Sequence, residues 1–151
     1  GIDASVKKLI TGQYPNAKLM HLSSTLIEPA LKETHNETGA VVYLNIRHRE
    51  FDQLIVIDGK LHFNNTFEYR TPEDVLYYAL HSCEQLNLNT KQTQFKLLAD
   101  ATEFESCKEL LKGYLPNTAT VNRASDYQYS SFFSGFRSHE LYTLINQYAC
   151  A

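Results

Sequence analysis

The stretch AVVYLNIRHREFDQLIVIDGKLHFNNTFEY, residues 40–69, reads as three consecutive strands, AVVYLNIR, FDQLIVID and KLHFNNTFEY, joined by two short turns. In the first strand Val42, Leu44 and Ile46 fall on one face, and Val41, Tyr43 and Asn45 on the other. In the second, Phe51, Gln53, Ile55 and Ile57 oppose Asp52, Leu54, Val56 and Asp58. Apolar residues on both faces are the pattern of strands covered by layers from both sides. The third strand differs, with Leu61, Phe63, Phe67 and Tyr69 on one face beside Asn65, and His62, Asn64, Thr66 and Glu68 making the other polar. That alternation predicts a half-exposed strand at the sheet edge. Asp58-Gly59 supplies the positive φ angles that a two-residue hairpin turn requires.

Toward the C-terminus the pattern switches between periods of 3.6 and 2. Thr71-Pro72-Glu73-Asp74 offers an N-cap hydroxyl, a proline at the first helical position and two carboxylates for the positive helix end. The helix it opens carries a stripe of Val75, Ala79 and Cys83 beside Leu76, Leu80 and Leu86. A strand follows at Phe95 to Ala99, then a helix with a Thr102/Glu105 capping box and buried Phe104, Cys107, Leu110 and Leu111, closed by Gly113. Thr118 to Val121 is expected as a short parallel strand. Asn122 to Arg137 forms a long aromatic connection, and Ser138 caps a last helix through Leu141, Leu144, Ile145 and Tyr148.

Toward the N-terminus, Asp3 caps a short helix through Val6, Leu9 and Ile10 that Gly12 ends, and Ala17 to Leu22 reads as a strand. Thr25 with Glu28 has capping-box spacing and opens a helix in which Pro29 is tolerable as a first-turn residue. Residues 1–38 are thus a helix-strand-helix lead-in, and residues 39–151 carry the order βββαβαβα. Strands separated by helices return parallel through right-handed crossovers, and the meander extends the sheet antiparallel. The fold class is therefore α/β, of the ribonuclease-H-like kind that actin-like ATPases share. Its expected mixed five-stranded sheet has order 3-2-1-4-5, with helices on both faces.

At 151 residues the chain is of one-domain size. Its net charge of −3 gives no electrostatic footprint for nucleic acid or anionic membrane. Its apolar runs are too short to span a bilayer, and the start GIDASVKK has no signal-peptide core, so no membrane insertion is expected. A first residue Gly1 in place of methionine points to a fragment. Cys83, Cys107 and Cys150 are odd in number and scattered, which predicts free thiols in a reducing, cytoplasmic compartment.

The run FNNTFEYRTPEDVLYYALHSCEQLNLN, residues 63–89, resembles a family of uncharacterised Bacteroidetes-type bacterial proteins with an actin-like ATPase fold. The segments VVYLNIRHREFDQLIVIDGKLHF and MHLSSTLIEPALKE fit the same pattern, as does the aromatic loop before a helix opening near His139. Members of that family are longer and two-lobed, so the resemblance implies the second, C-terminal lobe alone, preceded by another. More distantly, the order resembles the actin-like domains of pilus-assembly and type II secretion proteins, which are largely scaffolds. The resemblance carries no established activity.

An actin-like ATPase places a carboxylate and glycines at its first hairpin, where backbone N–H groups approach phosphate. The corresponding turn here, Asn45 to Glu50, has no glycine, and the first strand lacks the acid of a ribonuclease-H-type two-metal site. Arg47, His48 and Arg49 are the candidate phosphate contacts, against the alternative of a solvated basic turn. His21, His35, His48, His62, His81 and His139 show no metal-ligand spacing, and Ser23, Ser24, Ser130, Ser131 and Ser134 sit in no nucleophile elbow. Glu73 and Asp74 diverge by roughly 100° on a helix and suit the helix dipole better than acid–base work. No catalytic, cofactor or metal residue is assigned.

The aromatic run Tyr127, Tyr129, Phe132, Phe133 and Phe136 is the candidate interaction surface, with a lid over the sheet edge as the alternative, and Tyr69, Tyr77 and Tyr78 are expected elsewhere on the surface. The expected function is a noncatalytic actin-like module, a scaffold or protein-interaction domain of the bacterial cytoplasm. Its partner is another protein, the missing N-terminal lobe or a second copy, and not nucleic acid. The alternative is the nucleotide-binding lobe of a two-lobed ATPase, active only when the other lobe completes the site.

Overall fold

Three strands form where the alternation places them, β1 (Ala40–Ile46), β2 (Glu50–Ile57) and β3 (Lys60–Glu68), and β2 pairs antiparallel with both neighbours. The structure is a computed structural model and describes residues 3–16, 21, 23–99, 104–121, 130–131, 135–136 and 142–149. β4 (Gln94–Ala99) lies parallel to β1, and β5 (Thr118–Thr120) parallel to β4, so the sheet order is 3-2-1-4-5 as expected. The helices are α1 (Ala4–Gln13), α2 (Ser24–Thr34), α3 (Pro72–Gln85), α4 (Phe104–Tyr114) and α5 (Tyr142–Ala149). Among the described residues no helix is long and apolar enough to cross a membrane.

Each sheet face carries its own core. On the first, Val42, Leu44, Ile46, Phe51, Ile55, Phe95 and Leu97 pack against Val75, Leu76, Ala79 and Cys83 of α3 and Phe104, Cys107 and Leu111 of α4. On the second, Val41, Tyr43, Leu54, Val56 and Leu98 meet Leu26 and Ala30 of α2 and Tyr142 of α5. Burying a side chain of this size stabilises by about 1.5–3 kcal/mol, so the two faces hold the fold between them. Cys83 and Cys107 are free thiols inside the first core, and burial pushes the Cys83 thiol up to about 11.

Several local expectations change in three dimensions. A β-bulge between Ile55 and Val56 sets Ile55 opposite Phe63 but Val56 opposite Leu61. Leu61 therefore leaves the Phe63 face, joins the Val56 face and lies exposed. Tyr69 is not a surface residue but is buried, its ring edge-on to Phe51 at 6.1 Å. Leu80 and Leu144 are exposed because they sit off the covered stripes of α3 and α5, whose buried positions include Ser82 and Asn146. α2 begins after Ser23, which is held by His21 Nδ1 at 3.0 Å, so Pro29 falls in the second turn and Thr25 is buried within the helix. Gly12 and Gly113 lie inside α1 and α4 and do not end them. Of the strand expected at residues 17–22 only His21 is described, and it is in no strand; the Thr102 and Ser138 caps, Leu141 and Cys150 lie outside the described residues.

Candidate functional site

Sheets with parallel strands bind ligands outside the carboxyl ends of those strands. Here that end is walled by the β1–β2 turn, the end of β3 and the start of α3, which together form an open groove of about 1120 Å³. His48, Arg49, Glu68, Arg70, Asp74 and Tyr78 line it. Enclosed small-molecule pockets run ~300–1,000 Å³ and cover most of their ligand.

The turn is built around Arg47. Its backbone N–H donates to the Glu50 carbonyl at 2.9 Å, and its carbonyl accepts from the Tyr69 hydroxyl at 2.9 Å. The guanidinium pairs with Glu50 Oε1 at 2.6 Å and Asp52 Oδ1 at 2.7 Å, while its Nε is buried without an acceptor. Asp52 also accepts from Asn45 Nδ2 at 3.0 Å and Thr66 Oγ1 at 2.7 Å. Register explains the gathering, since Asn45 lies opposite Asp52, and Asp52 opposite Thr66, across three strands. Both Asp52 oxygens are engaged, so the carboxylate works as a tie between strands.

Arg49 adopts φ 60°, in the left-handed region, and is exposed, as is His48. Across the groove, α3 starts at Pro72 behind Thr71, and Asp74 Oδ2 accepts from the Thr71 and Arg70 N–H groups at 3.0 and 2.8 Å. Those two donors hold the Asp74 carboxyl below the usual carboxylate range. The N-terminus of α3 is thereby closed by its own side chain.

On the opposite sheet face, the Tyr43 hydroxyl donates to Glu33 Oε2 at 2.7 Å and Lys96 Nζ pairs with Glu33 Oε1 at 2.9 Å. Burial, then the hydrogen bond to Glu33, pushes the Tyr43 hydroxyl pKa up, which fixes it as a hydrogen-bond donor. Among the described residues no three or more His, Cys, Asp or Glu gather in a way that could hold a metal ion.

Of the residues singled out in the sequence, Arg47, His48 and Arg49 sit together at the groove, with Arg47 committed to the two carboxylates. Phe136 is exposed at 38%, and Tyr127, Tyr129, Phe132 and Phe133 lie outside the described residues. Asn45, Asp52 and Thr66 escaped notice. Their only signal was polar residues inside strands otherwise read as apolar or edge-like, and only register shows that they meet.

A family model described as protein of unknown function (DUF3822) matches residues 1–118. The chain belongs to that family. Among solved structures, this DUF3822 chain is similar over 100% of its length to 53% of a Bacteroides thetaiotaomicron VPI-5482 protein with an actin-like ATPase fold and unknown function, at TM-score 0.79 and 22% identity. Over 83% of its length it is similar to 48% of a chain in the PilM-PilN type IV pilus biogenesis complex, at TM-score 0.55 and 11% identity. It therefore has an actin-like ATPase fold, and it spans about half the length of these neighbours. No curated protein matches it.

Proposed function

We propose that this chain is a noncatalytic actin-like lobe that acts by protein contact, as a scaffold or interaction module in the bacterial cytoplasm. Residues 39–151 make the lobe, and residues 1–38 lead in from a preceding one. The observation that carries this reading is the occupied Asp52. Phosphoryl transfer needs a carboxylate free to take the metal and backbone N–H groups free to face phosphate. Asp52 is instead bound by Arg47, Asn45 and Thr66, and no glycine opens the Arg47–Glu50 turn. The wide groove beside it, lined by both signs of charge, suits a protein surface. The similarity to a chain of the PilM-PilN complex adds a precedent for this fold within a protein assembly, by analogy only. The exposed Phe136 and the rest of the 127–136 aromatic run are the surface we assign to a partner lobe or protein.

A second reading, the nucleotide-binding lobe of a two-lobed ATPase, draws support from Arg49 and Arg70 at the groove. Calorimetry with Mg-ATP separates the two. The contact reading expects no measurable heat of binding. A dissociation constant in the low micromolar range, lost in Arg49→Ala, would overturn it.

A further inference from the structure

Among the described residues β3 is the nine-residue edge strand of the sheet, hydrogen-bonded to β2 alone in the strand order. The Tyr69 N–H donates to the Arg49 carbonyl at 3.0 Å, so the backbone of Tyr69 points into the sheet. In an antiparallel pair the direction alternates, which turns Phe67, Asn65 and Phe63 inward as well and leaves the N–H and C=O groups of Glu68, Thr66 and Asn64 facing outward. The bulge at the other end of β3, with Lys60 beyond it, is the kind of device by which sheets refuse partners. The half from Phe63 to Glu68 has no bulge and keeps one unbroken register against β2.

We propose that this half-strand pairs antiparallel with the same half-strand of a second copy of the chain, about a two-fold axis at Asn65. The occupant follows from self-complementarity. With Asn65 opposite Asn65 of the second copy, Asn64 faces Thr66, and their outward groups form about four backbone hydrogen bonds across the dyad. On one face Phe63 meets Phe67 of the other copy, twice. Phe63 and Phe67 already stack at 6.2 Å, and Phe67 stacks on Tyr78 at 4.5 Å, so the pairing extends an aromatic row that starts at Phe51. On the other face His62 stands opposite Glu68, an attractive pair at each end of the contact. The bulge at His62 ends the pairing and fixes its register. The product is one continuous sheet through two lobes. This deepens the contact reading by naming one partner, and it uses a different surface from the groove and the aromatic run.

Sedimentation velocity and light scattering across concentrations up to about 1 mM should show a monomer–dimer equilibrium with a dissociation constant below about 100 µM. Asn64→Pro removes an outward N–H without touching the β2 ladder or the Asp52 tie, and should abolish the dimer while the far-UV circular dichroism stays unchanged. Glu68→Lys should weaken the dimer about fivefold to tenfold by opposing His62 at both ends, and His62→Glu added to it should restore association. The charge pair keeps the test alive where the proline variant fails to fold. A chain monomeric throughout overturns the proposal, and so does a dimer that both variants leave intact. Capture of an extended peptide by a chain that stays monomeric likewise overturns it. A monomer that binds no Mg-ATP sinks this inference alone, whereas nucleotide binding by the dimer sinks the contact reading alone.

Discussion

At Asp58-Gly59 the meander reverses through backbone geometry, with φ 49° and 70°, whereas at Arg47–Glu50 it reverses around one guanidinium and two carboxylates. The first turn is also tied to the loop before β1. Asp58 Oδ1 accepts from the Gly39 N–H at 2.8 Å, and the space where a Gly59 side chain would sit lies 3.2 Å from the carbonyls of Thr34 and His35. The second turn faces the open groove and holds a non-glycine residue, Arg49, at φ 60°. One hairpin is held by a residue that lacks a side chain, and the other by side chains that draw the strand ends together. A turn held in the second way engages both Asp52 oxygens and two nitrogens of the Arg47 guanidinium within the protein, which is the ground on which we propose contact over catalysis.

The sharpest way to break this comparison is Asp52→Ala. The substitution leaves the part-buried Arg47 with Glu50 alone and strips the buried Asn45 of its carboxylate acceptor. Orphaning part-buried polar groups in this way should destabilise the chain by about 3 kcal/mol, read by urea denaturation. A loss under ~1 kcal/mol, the usual worth of a surface pair, would mean that Asp52 does not hold the turn.

Gly59→Ala tests the other hairpin. A Cβ at φ 70° would press on two backbone carbonyls that cannot retreat without moving the end of α2. The expected loss is about 2 kcal/mol, a fall in melting temperature of roughly 4–8 °C for a chain of this size. An unchanged melting temperature would show that the contact between the turn and the α2–β1 loop is slack.

The two turns also differ in how far they could be read in advance. Asp-Gly between alternating strands is a local signal, complete within a few residues, and so is the Thr71-Pro72 start of α3. The strand order follows from element order and handedness, so it too was legible. The Arg47 turn depends on residues brought together by register. Asn45, Asp52 and Thr66 are far apart in sequence, and nothing local says that they meet. Leu61 was misplaced for a related reason, because one extra residue at a bulge flips a face that strict alternation would keep. Tyr69 looked like a surface tyrosine until its hydroxyl was found on the Arg47 carbonyl, twenty-two positions back in the chain. Leu80 and Leu144 were read as stripe residues and are exposed, because the covered faces of α3 and α5 run instead through Val75, Ala79 and Ser82 and through Tyr142 and Asn146.

The smallest effect comes from giving the second turn what the first already has. A side chain at Arg49 in the left-handed region costs about 1–2 kcal/mol relative to glycine, and the exposed Arg49 does not ion-pair in the turn as Arg47 does. Glycine removes that strain but widens the unfolded ensemble, which takes back part of the gain. Arg49→Gly should therefore stabilise the chain by about 0.5 kcal/mol, at the edge of what thermal unfolding resolves. Its larger value is functional, because it supplies the glycine whose absence was one of the two arguments against phosphate binding. If the engaged Asp52 is the real obstacle, Arg49→Gly stays silent in Mg-ATP calorimetry, since Asp52 remains bound to Arg47, Asn45 and Thr66. If Arg49→Gly alone brings nucleotide binding into the micromolar range, the obstacle was the backbone. The side-chain lock would then be incidental, and the difference between the two turns would come down to one residue type.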